Sequence, residues 1–422
     1  MSIESEKLSY AARLKMVGRD ARLTIVGWVL WAFGLGINDV LFNLYLLEAG
    51  FGEDFLGFFL SISAVLAGIL AIFAGMVADR HSRKRIILVG NIVVFLAVVI
   101  QYSALTPIYL IFSQVLYGIG NGFVHVCWQP YTVSITTEDE RVHVFTIRLA
   151  FFLLASLLGS LIGGFLPTLW TSLGIAFDLF SAYRLSLWTA LIPFALSLIS
   201  VIPLSVDRVE SGQMKFGFSN VRNHRFIGEY ALAWTVSGFG AGLFVQLFNV
   251  FYTRAFALDS ATIGIIFAFG TIIQAAGMIA SPKIVDRFGK LGTIIWFQVF
   301  SVPFLVVLAW SPTLAIAVFG QVGRALFIYI AWPVMDVFYL EGLEKDERST
   351  AMGVINAGDS LSRAVGLNVA GWLLASGFFR APFAVAAVFY SLSIILFYWF
   401  FGRERDEGTT TQTKERLESP GT

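Results

Sequence analysis

The chain has 422 residues, 57% of them hydrophobic and only 14% charged, with 41 Phe and 11 Trp. A soluble domain carries about 25% charged residues, so this sequence lacks the polar surface that a water-exposed fold of its length needs. The formal charge of +1 offers nothing to nucleic acid, and the single cysteine, Cys127, excludes a disulfide framework and a cysteine metal site.

Residues 1–23 are polar and read as an N-terminal segment. The apolar run that follows is too long for a signal-peptide core and lacks a small-residue cleavage site, so the first helix is expected to stay. Spanning helices are predicted over 24–47, 55–78, 86–105, 108–132, 144–168, 184–204, 227–252, 260–281, 291–310, 313–339, 350–376 and 382–402. Each offers about 20 mostly apolar residues, the length that crosses the hydrocarbon core with every backbone hydrogen bond made inside the helix. Phe55 to Ala78, Tyr230 to Thr253, Ser260 to Pro282 and Ala381 to Gly402 contain no charged residue at all, and two longer runs are divided at Thr106-Pro107 and Ser311-Pro312.

Basic residues gather on one side of the alternation. Arg80, Arg83, Lys84 and Arg85 follow the second span, and Arg208, Lys215, Arg222 and Arg225 follow the sixth, whereas Glu48, Glu53 and Asp54 follow the first. By the positive-inside rule the basic side and both termini are cytoplasmic. The polar, basic stretch 205–226 then reads as a cytoplasmic linker between a bundle over 24–204 and another over 227–402, and the Thr- and Glu-rich end, 403–422, reads as a solvated tail.

The two bundles repeat one another at a spacing of about 207 residues. Phe42 and Asn43 answer Phe248 and Asn249, Gly57 answers Gly264, Asp79 and Arg80 answer Asp286 and Arg287, and Gly159 and Gly164 answer Gly366 and Gly371. Six helices per half return the copy in the same orientation, as in transporters that rock about a site at the bilayer midplane.

The segment after the second span, with Gly75, Asp79, Arg80, Arg83, Lys84 and Arg85, resembles the cytoplasmic loop signature of the major facilitator superfamily, G-x-x-x-D-R-x-G-R-R/K. It departs at Ser82, where the family has Gly. A weaker copy at Asp286, Arg287 and Gly289 restores that Gly and loses the leading one. The resemblance implies an all-α membrane fold of twelve helices in two six-helix repeats, and a gating role for Gly75, Asp79, Arg80, Arg83, Asp286 and Arg287. Physically, Gly75 permits close helix approach, and an acid at a helix C-terminal end such as Asp79 needs neighbouring Arg residues. For Lys84 and Arg85 the alternative is a topology anchor.

Ionisable groups at membrane depth are expensive, so each is a functional candidate. Asp39, beside Asn38 and one turn from Asn43, lies two thirds of the way across the first span. The first, fourth, seventh and tenth helices line the cavity of the family this chain resembles, which makes Asp39 the first candidate for proton coupling. The alternative is an acid that pairs with Arg324 or accepts hydrogen bonds near the outer mouth. Asn356, Asp359 and Arg363 share one face of the eleventh span, where Asp359 and Arg363 can pair. Arg324 then needs Asp359, Asp39 or an anionic substrate.

His125, followed by Trp128 and Gln129, is a second candidate for proton relay, or a histidine bonded to a backbone carbonyl. Gln246, Asn249, Tyr329 and Trp332 are matching polar and aromatic residues of the second half, suited to orienting a ligand or, if lipid-facing, to packing. Arg148 either serves the cavity or snorkels, and Asp336 is assigned to a loop network with Arg287. No zinc-protease, nucleophile-elbow or phosphate-loop motif supports an enzyme or a nucleotide-driven pump, and no cofactor or metal is expected. The reading is a monomeric plasma-membrane secondary transporter of a small molecule, proton-coupled and exporting amphiphilic compounds. Sugar or organic-anion transport, or lipid flipping on the same fold, is the alternative.

Overall fold

The computed structural model describes residues 18–78, 81–206, 223–344 and 348–402. Among them there is no strand. Six helices come first: α1 (Arg19–Glu48), α2 (Glu53–Ala78), α3 (Arg83–Ser103), α4 (Pro107–Ser134), α5 (Glu138–Ser172) and α6 (Leu179–Val201). Six more follow: α7 (His224–Gly242), α8 (Phe248–Phe256), α9 (Ser260–Ala309), α10 (Leu314–Glu341), α11 (Arg348–Ala375) and α12 (Ala381–Phe397), the last extended by a π-helical turn, Tyr398–Gly402. Ten described stretches of helix are long and apolar enough to cross a membrane.

Helix ends are written in local chemistry. Pro107 and Pro382 open α4 and α12, where a missing N–H costs nothing. Thr137 and Glu140 form a capping box on α5, and Asp178 and Ser181 form one on α6. The α5 and α11 ends are closed by Gly174 (φ 69°) and Gly377 (φ 83°), a left-handed turn that a side chain would strain.

Two predicted boundaries turn out differently. The seventh span is interrupted, because α7 stops at Gly242 and a 3₁₀ turn, Val245–Leu247, precedes α8. The predicted spans 260–281 and 291–310 run into one another as α9, whose helix is broken only at Gly289 (φ 70°, ψ 168°). The copied loop signature thus lies on helix up to that glycine, since Asp286 and Arg287 keep helical geometry and Gly289 alone supplies the bend.

The chain forms two compact units. One holds the described residues before 207 together with Tyr252–Thr271, and the other holds the rest of the second half. In the first unit α1 packs on α5 and α6, and α4 on α2 and α3; in the second, α7 packs on α11 and α12. The stretch Tyr252–Thr271 joins the first unit through an Arg254–Glu53 ion pair, a Ser260 hydroxyl bond to the Gly164 carbonyl at 2.9 Å, and backbone contact of Gly164 with Gly264.

Glycine sets the closest crossings, and the two units do so alike. A Cβ on Gly159 would strike the Phe33 carbonyl, and one on Gly366 the Phe239 carbonyl. Ser197 donates to the Gly27 carbonyl at 2.8 Å and Ser393 to the Ala233 carbonyl at the same distance, while Gly34 lies under Phe194 and Gly240 under Tyr390. The duplication therefore reaches α6 and α12, where the register has slipped by about ten residues and direct sequence matching loses it.

Two outcomes follow in detergent. Gly159→Ala and Gly366→Ala each cost about 1–3 kcal/mol in thermal unfolding, while Gly228→Ala, with nothing within 4 Å of the added carbon, is neutral or stabilising; equal melting of all three variants would refute backbone contact at the crossings. Asp259 caps α9, accepting from the Thr262 amide at 3.0 Å, and the Thr262 hydroxyl and amide hold its carboxyl below the usual range. A depressed value in the folded state means the stabilisation is present above the ordinary carboxylate pKa of about 4 and is lost as pH falls through the lower folded value. Asp259→Ala is expected to cost about 1 kcal/mol at pH 7, and the gap to wild type narrows below about pH 4.

Candidate functional site

In the first unit the chemistry begins where α3 ends. The last carbonyls of a helix lack intrahelical donors, and here side chains from other helices supply them: Tyr45 hydroxyl and Trp188 Nε1 donate to the Tyr102 carbonyl at 3.3 and 3.2 Å, and Arg184 donates to Ser103 at 3.4 Å. Tyr102 is thereby pinned with its ring fully buried. Its hydroxyl donates to Asn38 Oδ1 at 2.9 Å, and Asn38 hydrogen-bonds Asp39. With the amide oxygen taken by Tyr102, the NH2 end of Asn38 is the end left for the carboxylate. Asp39 itself is exposed, and Tyr117 of α4 lies within electrostatic reach of it.

Below this network α1, α3, α4 and α6 enclose a recess of about 40 Å³, lined by Gly27, Trp28, Trp31, Asn91, Asn121, Val124, His125, Trp128 and Ser197. Trp28 and Trp128 stand 5.8 Å apart at 57°, and the Arg148 guanidinium lies 4.9 Å over the Trp28 ring. Of the residues expected here, His125 and Trp128 line the recess, Arg148 stacks beside it, and Gln129 is exposed outside the lining.

In the second unit Arg324 is 8% exposed, with its guanidinium 4.5 Å over Phe244 and 5.0 Å over Tyr390. It donates to the Tyr390 hydroxyl at 2.8 Å, and its Nε has no partner among the described residues. Phe244 reaches it because α7 stops at Gly242 and the turn that follows swings the ring inward. Asp359 does not answer Arg324: it pairs with Arg363, one turn along α11, at 3.1 Å. Tyr329 stacks on Trp332 at 5.7 Å and 3°, and it lies within electrostatic reach of both Arg324 and Arg363. Gln246, in the turn, and Asn356 are exposed.

Three expectations are revised. Asn43 and Asn249 are 6% and 1% exposed, so they are packed rather than cavity-lining; Asn249 Oδ1 accepts from the Val250 amide at 2.9 Å and helps start α8. Asp336 makes no ion pair with Arg287 among the described residues; Lys290 and Glu341 join α9 to α10 instead. Of the gating residues, Asp79 and Arg80 lie outside the described residues, Gly75 is on α2, Arg83 opens α3, and Asp286 and Arg287 are exposed on α9. Arg287 lies 5.6 Å over Phe288.

Tyr102, Tyr390, Phe244, Asn91 and Asn121 escaped the sequence reading. Asn91 left a signal there, as the one amide in the otherwise apolar run from Ile86 to Ile100. The aromatic partners left none, because they are three among the 41 Phe and 13 Tyr spread throughout the chain. No group of three metal-ligating side chains occurs among the described residues.

The profile of the Major Facilitator Superfamily matches residues 24–339 and again 230–420. The multidrug resistance protein 1 of Bacillus subtilis (strain 168) is 23% identical over 356 residues, covering 81% of this chain and 85% of that one. Among solved structures, a mutant of the nucleoside transporter NupG superposes with a TM-score of 0.73 at 13% identity, over 90% of this chain and 98% of that one. A D-xylose-proton symporter gives 0.70 at 13% identity, over 93% and 98%. At such identities the structures speak for the fold alone.

The Arg324 environment makes its own forecast. Tyr390→Phe removes the one hydrogen-bond acceptor that the buried Arg324 guanidinium has among the described residues and is expected to cost about 2 kcal/mol in thermal unfolding, whereas Tyr398→Phe, an exposed phenol on the same terminal segment, leaves the transition in place. An unchanged melting temperature for Tyr390→Phe would show that the two aromatic faces suffice.

Proposed function

The chain belongs to the Major Facilitator Superfamily, and from that membership we propose that it is a secondary transporter that exports amphiphilic small molecules in exchange for protons. The superfamily carries small molecules through the bilayer, which accounts for the long apolar helices. Export of amphiphiles draws support from the similarity to a protein named for multidrug resistance, and from the indole-lined recess of the first unit.

Proton coupling rests on one observation, the Asp39 carboxylate. It is an acid two thirds of the way along a spanning helix, exposed there, and oriented by the chain Tyr102 to Asn38 to Asp39. A group at that depth is tolerated where it faces a water-filled cavity or a partner, and a carboxylate in such a cavity can take up and give off a proton. Tyr102 and Asn38 then act as positioning residues, since they fix the carboxylate without reaching the substrate.

Twelve crossings fit the helices: Gly289 divides α9, whose fifty residues would stretch about 75 Å if straight, and α11 is counted although its Asp359 and Arg363 lower its hydropathy. Both termini and the basic connections are cytoplasmic in this reading, and the membrane is the plasma membrane. The cycle is alternating access, in which the contacts holding Tyr252–Thr271 to the first unit, Arg254 with Glu53 and Gly164 with Gly264, part and re-form. Organic-anion transport is the second reading. It is favoured by Arg324, which forms no salt bridge among the described residues.

Purified protein in liposomes with a trapped pH-sensitive dye tests the proposal. A panel of lipophilic drugs is expected to drive proton movement that Asp39→Asn abolishes and Tyr102→Phe slows while displacing its pH optimum. Solute flux that persists undiminished in Asp39→Asn, with no proton movement in the wild type, would leave facilitated diffusion in place of exchange.

A further inference from the structure

Lys283 and Arg287 are charges on α9 that neither the helix packing nor the transport reading uses. Along that helix Ile265, Phe269, Ile272, Ala276, Ile279, Lys283 and Arg287 are all exposed, Ile279 as much as 78%. Their spacing of four, three, four, three, four and four residues sets them in one line on one face. The packed side of α9 lies elsewhere: a Cβ on Gly277 would meet the Leu326 carbonyl of α10, and the Ser281 hydroxyl donates to the Ile330 carbonyl at 2.9 Å. The line is open to the surrounding medium, apolar through Ile279 and basic at its last two positions.

Helix geometry sets the depth of those two. Lys283 is 23 residues beyond Ser260, where α9 begins. That is about 34 Å along the axis, and Arg287 is at about 40 Å. A hydrocarbon core is about 30 Å thick, or about 40–45 Å with its headgroup layers. Both cations therefore stand among lipid phosphates while the apolar residues of the line stand beside acyl chains. Two cations one turn apart can hold a single phosphate between them.

The neighbouring charges leave the pair available. Lys283, Asp286 and Arg287 form no ion pair among the described residues, and Lys290 is taken by Glu341. At 3.6 residues per turn Asp286 is about 60° from Lys283, on the flank away from Arg287. The Arg287 guanidinium lies 5.6 Å over the exposed ring of Phe288, which keeps it at the lipid boundary. The duplicated half has no such pair: at the spacing of 207 residues Arg287 answers Arg80, but Lys283 answers Met76. The second cation is thus no part of the repeated loop signature.

We infer that this line on α9 is a binding site for an anionic phospholipid, with the phosphate clamped by Lys283 and Arg287 and an acyl chain laid along Ile279, Ala276, Ile272 and Phe269. The site goes beyond the transporter reading and does not depend on it. A zwitterionic lipid brings an ammonium of its own to the same two cations and is held less tightly, and a soluble phosphate has no chain to lay on the apolar part of the line.

Native mass spectrometry of the full chain released from detergent tests this, with phosphatidylglycerol and phosphatidylcholine of the same acyl chains offered in equal amounts. The wild type is expected to bind its first phosphatidylglycerol at least about tenfold more tightly than phosphatidylcholine, given roughly a fivefold gain for each cation near an anionic surface. Lys283→Met, which copies the first half, is expected to weaken phosphatidylglycerol about fivefold, and the double variant Lys283→Gln with Arg287→Gln about 25-fold, while Lys283→Arg retains binding. Arg19→Gln with Arg22→Gln removes two exposed cations at the start of α1 and serves as the charge-matched control, expected to stay within about twofold of wild type. Should Lys283→Met lose its melting transition, Lys283→Gln takes its place with the same expectation. No preference between the two lipids, a folded Lys283 variant that binds as wild type, an equal loss in the Arg19 and Arg22 control, or glycerol 3-phosphate bound as tightly as the lipid overturns the inference. Selective lipid binding by a protein that moves no solute would sink the transport reading instead and leave the site standing.

Discussion

Glycine at the crossing of α1 with α5, and of α7 with α11, lets two pairs of helix backbones touch, and the positions of the polar groups follow from those contacts. In lipid, helices gain little from hiding apolar side chains from a medium equally apolar, so close packing and interhelical hydrogen bonds take over. Where Gly159 lies on the Phe33 carbonyl and Gly163 on Ile37, α1 is fixed in rotation as well as position. That rotation decides that Asn38 meets Tyr102 and that Trp28 and Trp31 line the recess. The serine bonds from α6 and α12 to backbone carbonyls of α1 and α7 brace the same helices from the other side.

The two units share this frame and fill it differently. Gly120 and Asn121 of α4 correspond to Gly323 and Arg324 of α10 when the helix-breaking residues Pro130 and Pro333 are matched. Where the first unit has an amide at the edge of a recess, the second has a guanidinium between two aromatic rings. The interruption of the seventh span belongs to this difference. An unbroken α7 would carry Phe244 around the helix, and the gap at Leu243–Leu247 instead brings the ring 4.5 Å from Arg324. Irregular backbone at this depth is tolerated only where protein or a cavity covers it.

Several polar partnerships serve orientation rather than affinity. Tyr102 holds Asn38, whose amide holds Asp39; Asp359 and Arg363 occupy one another within α11. Each keeps a costly group satisfied in an apolar surrounding, and each leaves a defined neighbour, Asp39 or Arg324, facing different company. The proposed division of labour, with an acid for protons and indoles for ligand, uses groups that the packing has already separated along α1.

Hydropathy and periodicity are properties of short stretches, and at that range the sequence is decisive. It determines the membrane class, the helices and their proline and threonine starts, the gathering of basic residues in alternate connections and the duplication, because hydrocarbon imposes one solution on any backbone that crosses it. Asp39, His125, Arg324, Asp359 and Arg363 were legible as candidates for the same reason: a charge in an apolar run is conspicuous. Tertiary structure alone decided their company. Arg324 bonds to Tyr390, 66 positions away, and Tyr102 to Asn38, 64 positions away, and Asn249 went into the core where an open cavity was expected. Such pairings depend on the rotation of each helix about its axis, which the glycine crossings set between segments more than a hundred residues apart, and no pattern confined to one helix carries that information.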